Sequence, residues 1–172
     1  MTGINKSKTF PSTTCTNGQL LMTYPQPFDI IEWHKWGRLL NHVAIVLDDP
    51  LGLLWVYEAF PPEIRRVPYS EHADMWLFRT SKRVVYRNAN LMATQRLSMR
   101  VRLNDLLGEK YSWLPNIIGA LPGFWHCIEY ICEAQVAAWN SDIYPRDLSR
   151  VGPVLWRQTT IELGWEIYPP QA

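Results

Sequence analysis

Two apolar runs flanking five turn-forming residues constrain this chain most: His42-Val43-Ala44-Ile45-Val46-Leu47, then Asp48-Asp49-Pro50-Leu51-Gly52, then Leu53-Leu54-Trp55-Val56-Tyr57-Glu58-Ala59. Branched and aromatic residues fit a pleated, half-buried surface. Asp, Pro and Gly supply the local side-chain bonds, the fixed φ and the backbone freedom that a tight connection needs. The spacing therefore predicts two neighbouring antiparallel strands. Each run carries a polar residue among apolar ones, His42 in the first and Glu58 in the second. Side chains alternate along a strand and cross-strand neighbours sit a few ångströms apart, so both can face one side, with Glu58 orienting the His42 ring. A glutamate inside an apolar strand costs free energy unless it is satisfied, whereas alternation alone fits a solvent-facing Glu58 equally well.

Far downstream, Cys127 opens an amphipathic segment, Phe124-Trp125-His126-Cys127-Ile128-Glu129-Tyr130. Cys127, Tyr130, Ile131, Ala134 and Ala138 share one face of the helix, which sets the sulphur at the edge of the core. A helix N-terminus and an adjacent imidazolium together lower a thiol pKa to roughly 3.5–7.5. A free helical cysteine is more commonly a small buried hydrophobe, so position rather than residue type singles out Cys127. Cys15 sits in a Ser/Thr/Asn-rich leader, and Cys132 lies more than a turn inside the same helix. The pairing suggests a thiolate, Cys127, and its base, His42. His126 adjoins the cysteine but points elsewhere on the helix and is a poor in-line base. His34 and His72, in turn-like polar contexts, are expected at the surface, and Glu129 is expected to complement the helix dipole.

A chain of 172 residues with 47% hydrophobic and 19% charged residues suits one ordinary core. The expected division is an extended leader over 1–27 and a single domain over 28–172. A formal net charge of +1 without a Lys/Arg stripe gives no electrostatic footprint for nucleic acid or an anionic membrane surface. Three widely spaced cysteines make no disulfide framework, and no His/Cys spacing matches a zinc site, so no metal and no cofactor is expected. The leader lacks the apolar stretch of a signal peptide, and no run reaches the length of a transmembrane span. The chain is therefore expected in the cytoplasm, or delivered by lysis or as part of a particle, with a larger assembly left open. The many aromatic residues are expected as core or groove filler.

Along the rest of the chain, Phe28-Asp29-Ile30-Ile31-Glu32-Trp33 reads as a strand leading to a basic turn through Lys35 and Arg38. Pro61-Pro62 ends the second run, and Glu63–Tyr69 and Met75–Arg79 read as further extended pieces of a mostly antiparallel sheet. Met92, Met99, Leu103, Leu106 and Leu107 recur at helical spacing within Asn88–Leu107, with Arg96, Arg100 and Arg102 mainly outward and Gly108 as the stop. The segment from Arg150 to Ala172 carries mixed signals. The pattern is α+β.

The order of these motifs resembles the circularly permuted papain-like cysteine hydrolases, related to NlpC-type cell-wall peptidases and closest in layout to the YiiX-like branch. Phe28-Asp29-Ile30-Ile31 is similar to an opening Gly-Asp-Ile-Ile strand, with phenylalanine where glycine is usual. Asn41-His42-Val43-Ala44 resembles a Ser/Asn-His-Val-Gly strand, and Glu58-Ala59 a Glu-Ala strand end. Gly108-Glu109-Lys110-Tyr111 resembles a Gly-x-x-Tyr segment, Cys127-Ile128-Glu129 a Cys-Ser-Glu helix start, and Pro145-Arg146-Asp147-Leu148 a Pro-x-Asp-Leu element. Histidine precedes cysteine, the mark of the permuted branch. Two positions depart from the pattern: Ile128 removes a hydroxyl from the first turn, and Phe28 adds bulk near the entry to the sheet, which would narrow the groove.

The resemblance implies a permuted papain-like fold with Cys127 as nucleophile, His42 as base and Glu58 as the ring-orienting third residue. Tyr111 would lie near the site and help hold substrate or oxyanion. It also implies a hydrolase that cuts an amide bond through an acyl-enzyme, with cell-wall peptide as the first substrate class. The same site could serve a lipid-directed acyltransferase or thioesterase. The remaining alternative is a catalytically idle structural or interaction module of the same fold, for example in a viral particle.

Overall fold

The computed structural model describes residues 24–34, 42–75, 82–111, 124–139, 142–145 and 147–168. Strands β1 (Ile30–His34), β2 (His42–Asp48), β3 (Leu54–Phe60), β4 (Glu63–Pro68), β5 (Lys82–Arg87), β6 (Lys110–Tyr111), β7 (Phe124–Trp125) and β8 (Glu166–Tyr168) form one sheet in the order β7-β6-β4-β3-β2-β1-β5-β8. Every pairing is antiparallel except β6 with β7. Helices α1 (Tyr69–Asp74), α2 (Ala93–Asp105), α3 (Cys127–Trp139) and α4 (Pro153–Glu162) complete the α+β architecture, with a short 3-10 turn at Leu148–Arg150.

The expected hairpin forms because Asp49 organises it. Its Oδ1 accepts from the backbone N–H groups of Leu51 and Leu53, both at 2.9 Å, and its Oδ2 accepts from the Trp55 indole at 3.2 Å. Gly52 takes φ +79, a conformation that only glycine adopts without cost. β2 and β3 are then held in register from Asp48↔Leu54 to Ile45↔Tyr57.

Alternation splits the buried side chains between two cores. Ile30, Val43, Ile45, Leu47 and Tyr57 join Met99 and Leu103 of α2, Ile128, Tyr130 and Ile131 of α3, and Trp156 of α4 in the larger one. Ile31, Trp33, Ala44, Val46 and Val56 form a smaller one capped by Tyr69 at the start of α1. His42 and Glu58 have the parity of Ala44 and Val56 and so belong with the smaller core.

Several expectations need correction. The helix read over Asn88–Leu107 begins at Ala93, because Asn88 folds the chain into a turn: its Oδ1 accepts from the Asn90 N–H at 2.9 Å and its Nδ2 donates to the Leu163 carbonyl at 3.0 Å. Met92, read as part of the apolar stripe, is 60% exposed. The arginines of α2 are not simply outward: Arg100 pairs with Asp48 of β2 and Arg102 with Glu133 of α3, tying the helix to its neighbours. Tyr69, read as the end of an extended piece, begins α1. Of Met75–Arg79, Met75 is a bend and the remainder lies outside the described residues, as do the basic turn, the leader up to residue 23 and the stretch 112–123. Strand β5, helix α4 and strand β8 were not assigned from sequence.

Phe28 takes φ +72, the left-handed region that explains why glycine suits this position. Its side chain lies in the larger core, with the guanidinium groups of Arg96 and Arg100 5.4 and 5.6 Å from its ring centre. The phenylalanine therefore packs in the larger core and does not narrow a groove beside His42. Burial of the ring, worth about 2–3 kcal/mol, offsets a backbone cost of about 1–2 kcal/mol. At an ordinary buried site alanine is the milder replacement; here Phe28→Gly is expected to be more stable than Phe28→Ala by about 1 kcal/mol in urea unfolding, and the reverse order would show that the backbone strain is unimportant.

Candidate functional site

The site is built around the Glu58 carboxylate, which has no solvent exposure. Its Oε2 accepts from Nε2 of His42 at 2.8 Å and from Nε2 of His72 at 3.0 Å. Its Oε1 accepts from Nε and NH2 of Arg65 at 2.9 and 2.8 Å. Register explains the Arg65 contact, since Glu58 and Arg65 are direct partners between β3 and β4. His42 stands at the first residue of β2, three positions beyond the last registered pair with β3. Its ring lies 5.6 Å from that of Trp33 and edge-on to Phe60 at 5.6 Å, so packing as well as hydrogen bonding fixes its plane. The imidazole of His72 lies 5.0 Å from the same Trp33 ring.

Cys127 is the first residue of α3 and half-buried at the rim of the larger core. Its thiol and the His42 imidazole are close enough for each to shift the other's pKa. Nε2 of that ring is engaged by Glu58. Burial pushes the thiol up, but hydrogen bonds and charge from His126 and His42 outweigh it, and the Cys127 pKa falls to about 6. Burial likewise pushes His42 down, and is overcome by its bonds to Cys127 and Glu58, which raise it to about 9. Burial acts on Glu58 in the opposite sense to its two histidine partners, which hold its carboxyl well below the usual range. Near neutral pH the favoured state is thus thiolate, imidazolium and carboxylate in series. Cys132 is the contrast: fully buried, its thiol is pushed far up.

Tyr111, on β6, packs at the same rim, and burial together with the neighbouring Cys127 charge raises its pKa, which keeps the hydroxyl a hydrogen-bond donor. The four residues expected from sequence, Cys127, His42, Glu58 and Tyr111, are therefore brought together. The two histidines expected at the surface, His34 and His72, are partly and fully buried. His72, expected at the surface, is 1% exposed and shares the Glu58 carboxylate. Its signal was not local: it lies 14 residues from Glu58 and arrives only because α1 folds back over the smaller core. His126 precedes Cys127 and lowers the thiol pKa, and its Nδ1 accepts from the Glu129 N–H at 3.3 Å. That bond caps the first turn, supplying what Ile128 lacks, while Ile128 itself is buried in the core. Glu129 is at the helix start as expected, but it is buried and its pKa is raised, chiefly by burial. His34, on β1, is partly buried with its Nε2 3.1 Å from Glu32 Oε1.

His42, Glu58 and His72 also offer three ligand atoms within 4.8 Å of one another, although sequence spacing gave no metal signature. The set assembles from two strands and a helix, so no spacing rule could reveal it.

No protein-family model matches the chain, and no curated protein matches it. Among solved structures, the crystal structure of the metalloprotein YiiX from Escherichia coli O157:H7, described as DUF1105, is similar, with a TM-score of 0.53, 18% identity and 70% of each chain covered. At that identity the likeness is one of fold, and the chain has a YiiX-like fold.

Removing one member of a buried charged cluster leaves the others unpaired, at about 3–5 kcal/mol. Glu58→Ala is expected to lose that much in urea unfolding, because it strands two imidazoles and Arg65 together. A loss below about 1 kcal/mol, the range of exposed pairs, would mean that the cluster is not the organising contact described.

Proposed function

We propose that the protein is a cysteine hydrolase with a permuted papain-like arrangement, cutting an amide bond through an acyl-enzyme. The observation that carries this reading is the pairing of Glu58 with a His42 ring that in turn lowers the pKa of Cys127 at a helix N-terminus. The chain order, histidine before cysteine, supports the permuted assignment. Cell-wall peptide is the first substrate class, on the resemblance of the motifs.

In this mechanism the Cys127 thiolate attacks the scissile carbonyl, a C–S bond forms, and the electron pair moves to oxygen. The Cys127 N–H, among the first four amides of α3 that lack an intrahelical acceptor, and the Tyr111 hydroxyl are donors for that oxyanion. As the C–N bond breaks, His42 passes its Nδ1 proton to the departing amine. The neutral ring then takes a proton from water, whose oxygen attacks the thioester; the C–S bond breaks and the thiolate–imidazolium pair returns. Glu58 holds the ring in one orientation throughout through Nε2–H. An acyl acceptor other than water would make the same site a transferase.

Only the thiolate reacts with iodoacetamide. The Cys127 labelling rate should therefore rise with a midpoint near pH 6, while Cys132 stays silent. In His42→Ala the midpoint should move up toward the ordinary thiol value of about 8.5. Equal labelling of all thiols, or a midpoint indifferent to His42→Ala, would favour the idle-module alternative.

Peptidoglycan fragments and a long-chain acyl thioester, offered in parallel and followed by mass spectrometry, separate the substrate classes. Cys127→Ala should reduce turnover by at least about 10³-fold. Turnover that survives the substitution would remove the nucleophile assignment.

A further inference from the structure

We propose that His42, Glu58 and His72 form a site for one divalent cation of borderline softness, with zinc as its natural occupant. Two imidazole Nε2 atoms converge on a single carboxylate oxygen, at 2.8 and 3.0 Å. Two histidines and one carboxylate make a donor set that suits zinc, with further positions left for water. A tetrahedral shell of bonds near 2 Å separates its ligand atoms by about 3.3 Å. The present contacts need only open by a few tenths of an ångström, and all three ligand atoms already lie within 4.8 Å of one another.

The surroundings supply what a bound cation requires. The three side chains are 6%, 0% and 1% exposed, so water competes weakly for the ligands. Arg65 engages only Oε1, which leaves Oε2 to the metal and holds the carboxylate in orientation, as outer hydrogen bonds do in metal sites. Trp33 packs against both imidazoles and fixes the rings. Each histidine would bind through Nε2 as a neutral imidazole with its proton on Nδ1, so the His42 imidazolium releases its Nε2 proton to solvent and His72 takes the Nδ1–H tautomer. No electrons are transferred.

The cation would occupy the Nε2 through which Glu58 orients His42, so metal binding and the hydrogen-bonded arrangement are alternative states of one cluster. Cys127 is not one of the three ligands. The inference therefore does not rest on the thiol chemistry proposed above, and it can be tested with the thiol removed.

The test uses the full chain carrying Cys127→Ser. Cobalt(II) is titrated and followed by visible absorption, and bound cobalt is then displaced with zinc against a chromogenic chelator. One equivalent should bind, with ligand-field bands of four- or five-coordinate cobalt, no thiolate charge-transfer band, and displacement by one equivalent of zinc. Adding His72→Gln should weaken binding at least about tenfold. Absence of a one-equivalent site, a spectrum dominated by thiolate charge transfer from Cys15 or Cys132, or affinity unchanged in His72→Gln would overturn the proposal. If circular dichroism shows that His72→Gln does not fold, the cobalt spectrum of the chain with its ligands intact decides alone. Loss of Cys127 labelling selectivity in the wild-type chain, by contrast, bears only on the hydrolase reading.

Discussion

A carboxylate with no access to water must find donors inside the protein, and the arrangement of this molecule around Glu58 follows from that requirement. An ionised group transferred from water into an apolar interior is strongly unfavourable unless it is paired and hydrogen-bonded. Glu58 meets four donor contacts from three elements: His42 on β2, two nitrogens of Arg65 on β4, and His72 on α1. Each element is brought to a definite place. β4 is set by its register with β3, α1 by its packing over Trp33 and Val46, and β2 by the Asp49 turn. The carboxylate in turn fixes the His42 ring through Nε2.

Burial of carboxylates is not itself the mark of a site. Glu32 on β1 is equally inaccessible, and it is satisfied by the Tyr86 hydroxyl at 2.7 Å, by Arg157 and by His34. That cluster locks β1, β5 and α4 together and, among the described residues, has no thiol hydrogen-bonded to it. What distinguishes Glu58 is the third group in line: a cysteine placed where helix amides and two imidazoles favour its anion. Burial alone would have made both Cys127 and Cys132 poor nucleophiles. The difference between them comes from His126 and His42 as well as from depth.

The legible part of this architecture was local. Strand alternation puts His42 and Glu58 on one side whatever the rest of the chain does, and a break before an amphipathic run puts Cys127 at a helix start. Those two regularities carry the core of the site. His72 was illegible because its role depends on a chain reversal that brings α1 over the smaller core, and nothing in Ser70-Glu71-His72-Ala73 distinguishes it from a surface turn. His126 precedes the helix that begins at Cys127. As the capping residue it is outside the helical repeat, so the usual angular separation of adjacent side chains does not apply. β5 and α4 escaped because the polar residues Arg83, Arg87 and Arg157 interrupt their patterns, and these turn out to be satisfied by buried or half-buried partners. Phe28 shows the opposite case, a departure from a familiar motif whose backbone keeps the conformation that glycine would adopt.

The central claim is that Glu58 and Cys127 together hold His42 as a charged ring. Nitrogen-15 NMR of histidine-labelled protein near neutral pH reads this directly, because the two ring nitrogens report their protons separately. Both His42 nitrogens are predicted to carry protons in the wild-type chain, with Nε2 shifted by its bond to the carboxylate and with the ring becoming neutral only near pH 9. A His42 ring that is neutral at pH 7 with Cys127 as a thiol would contradict the account.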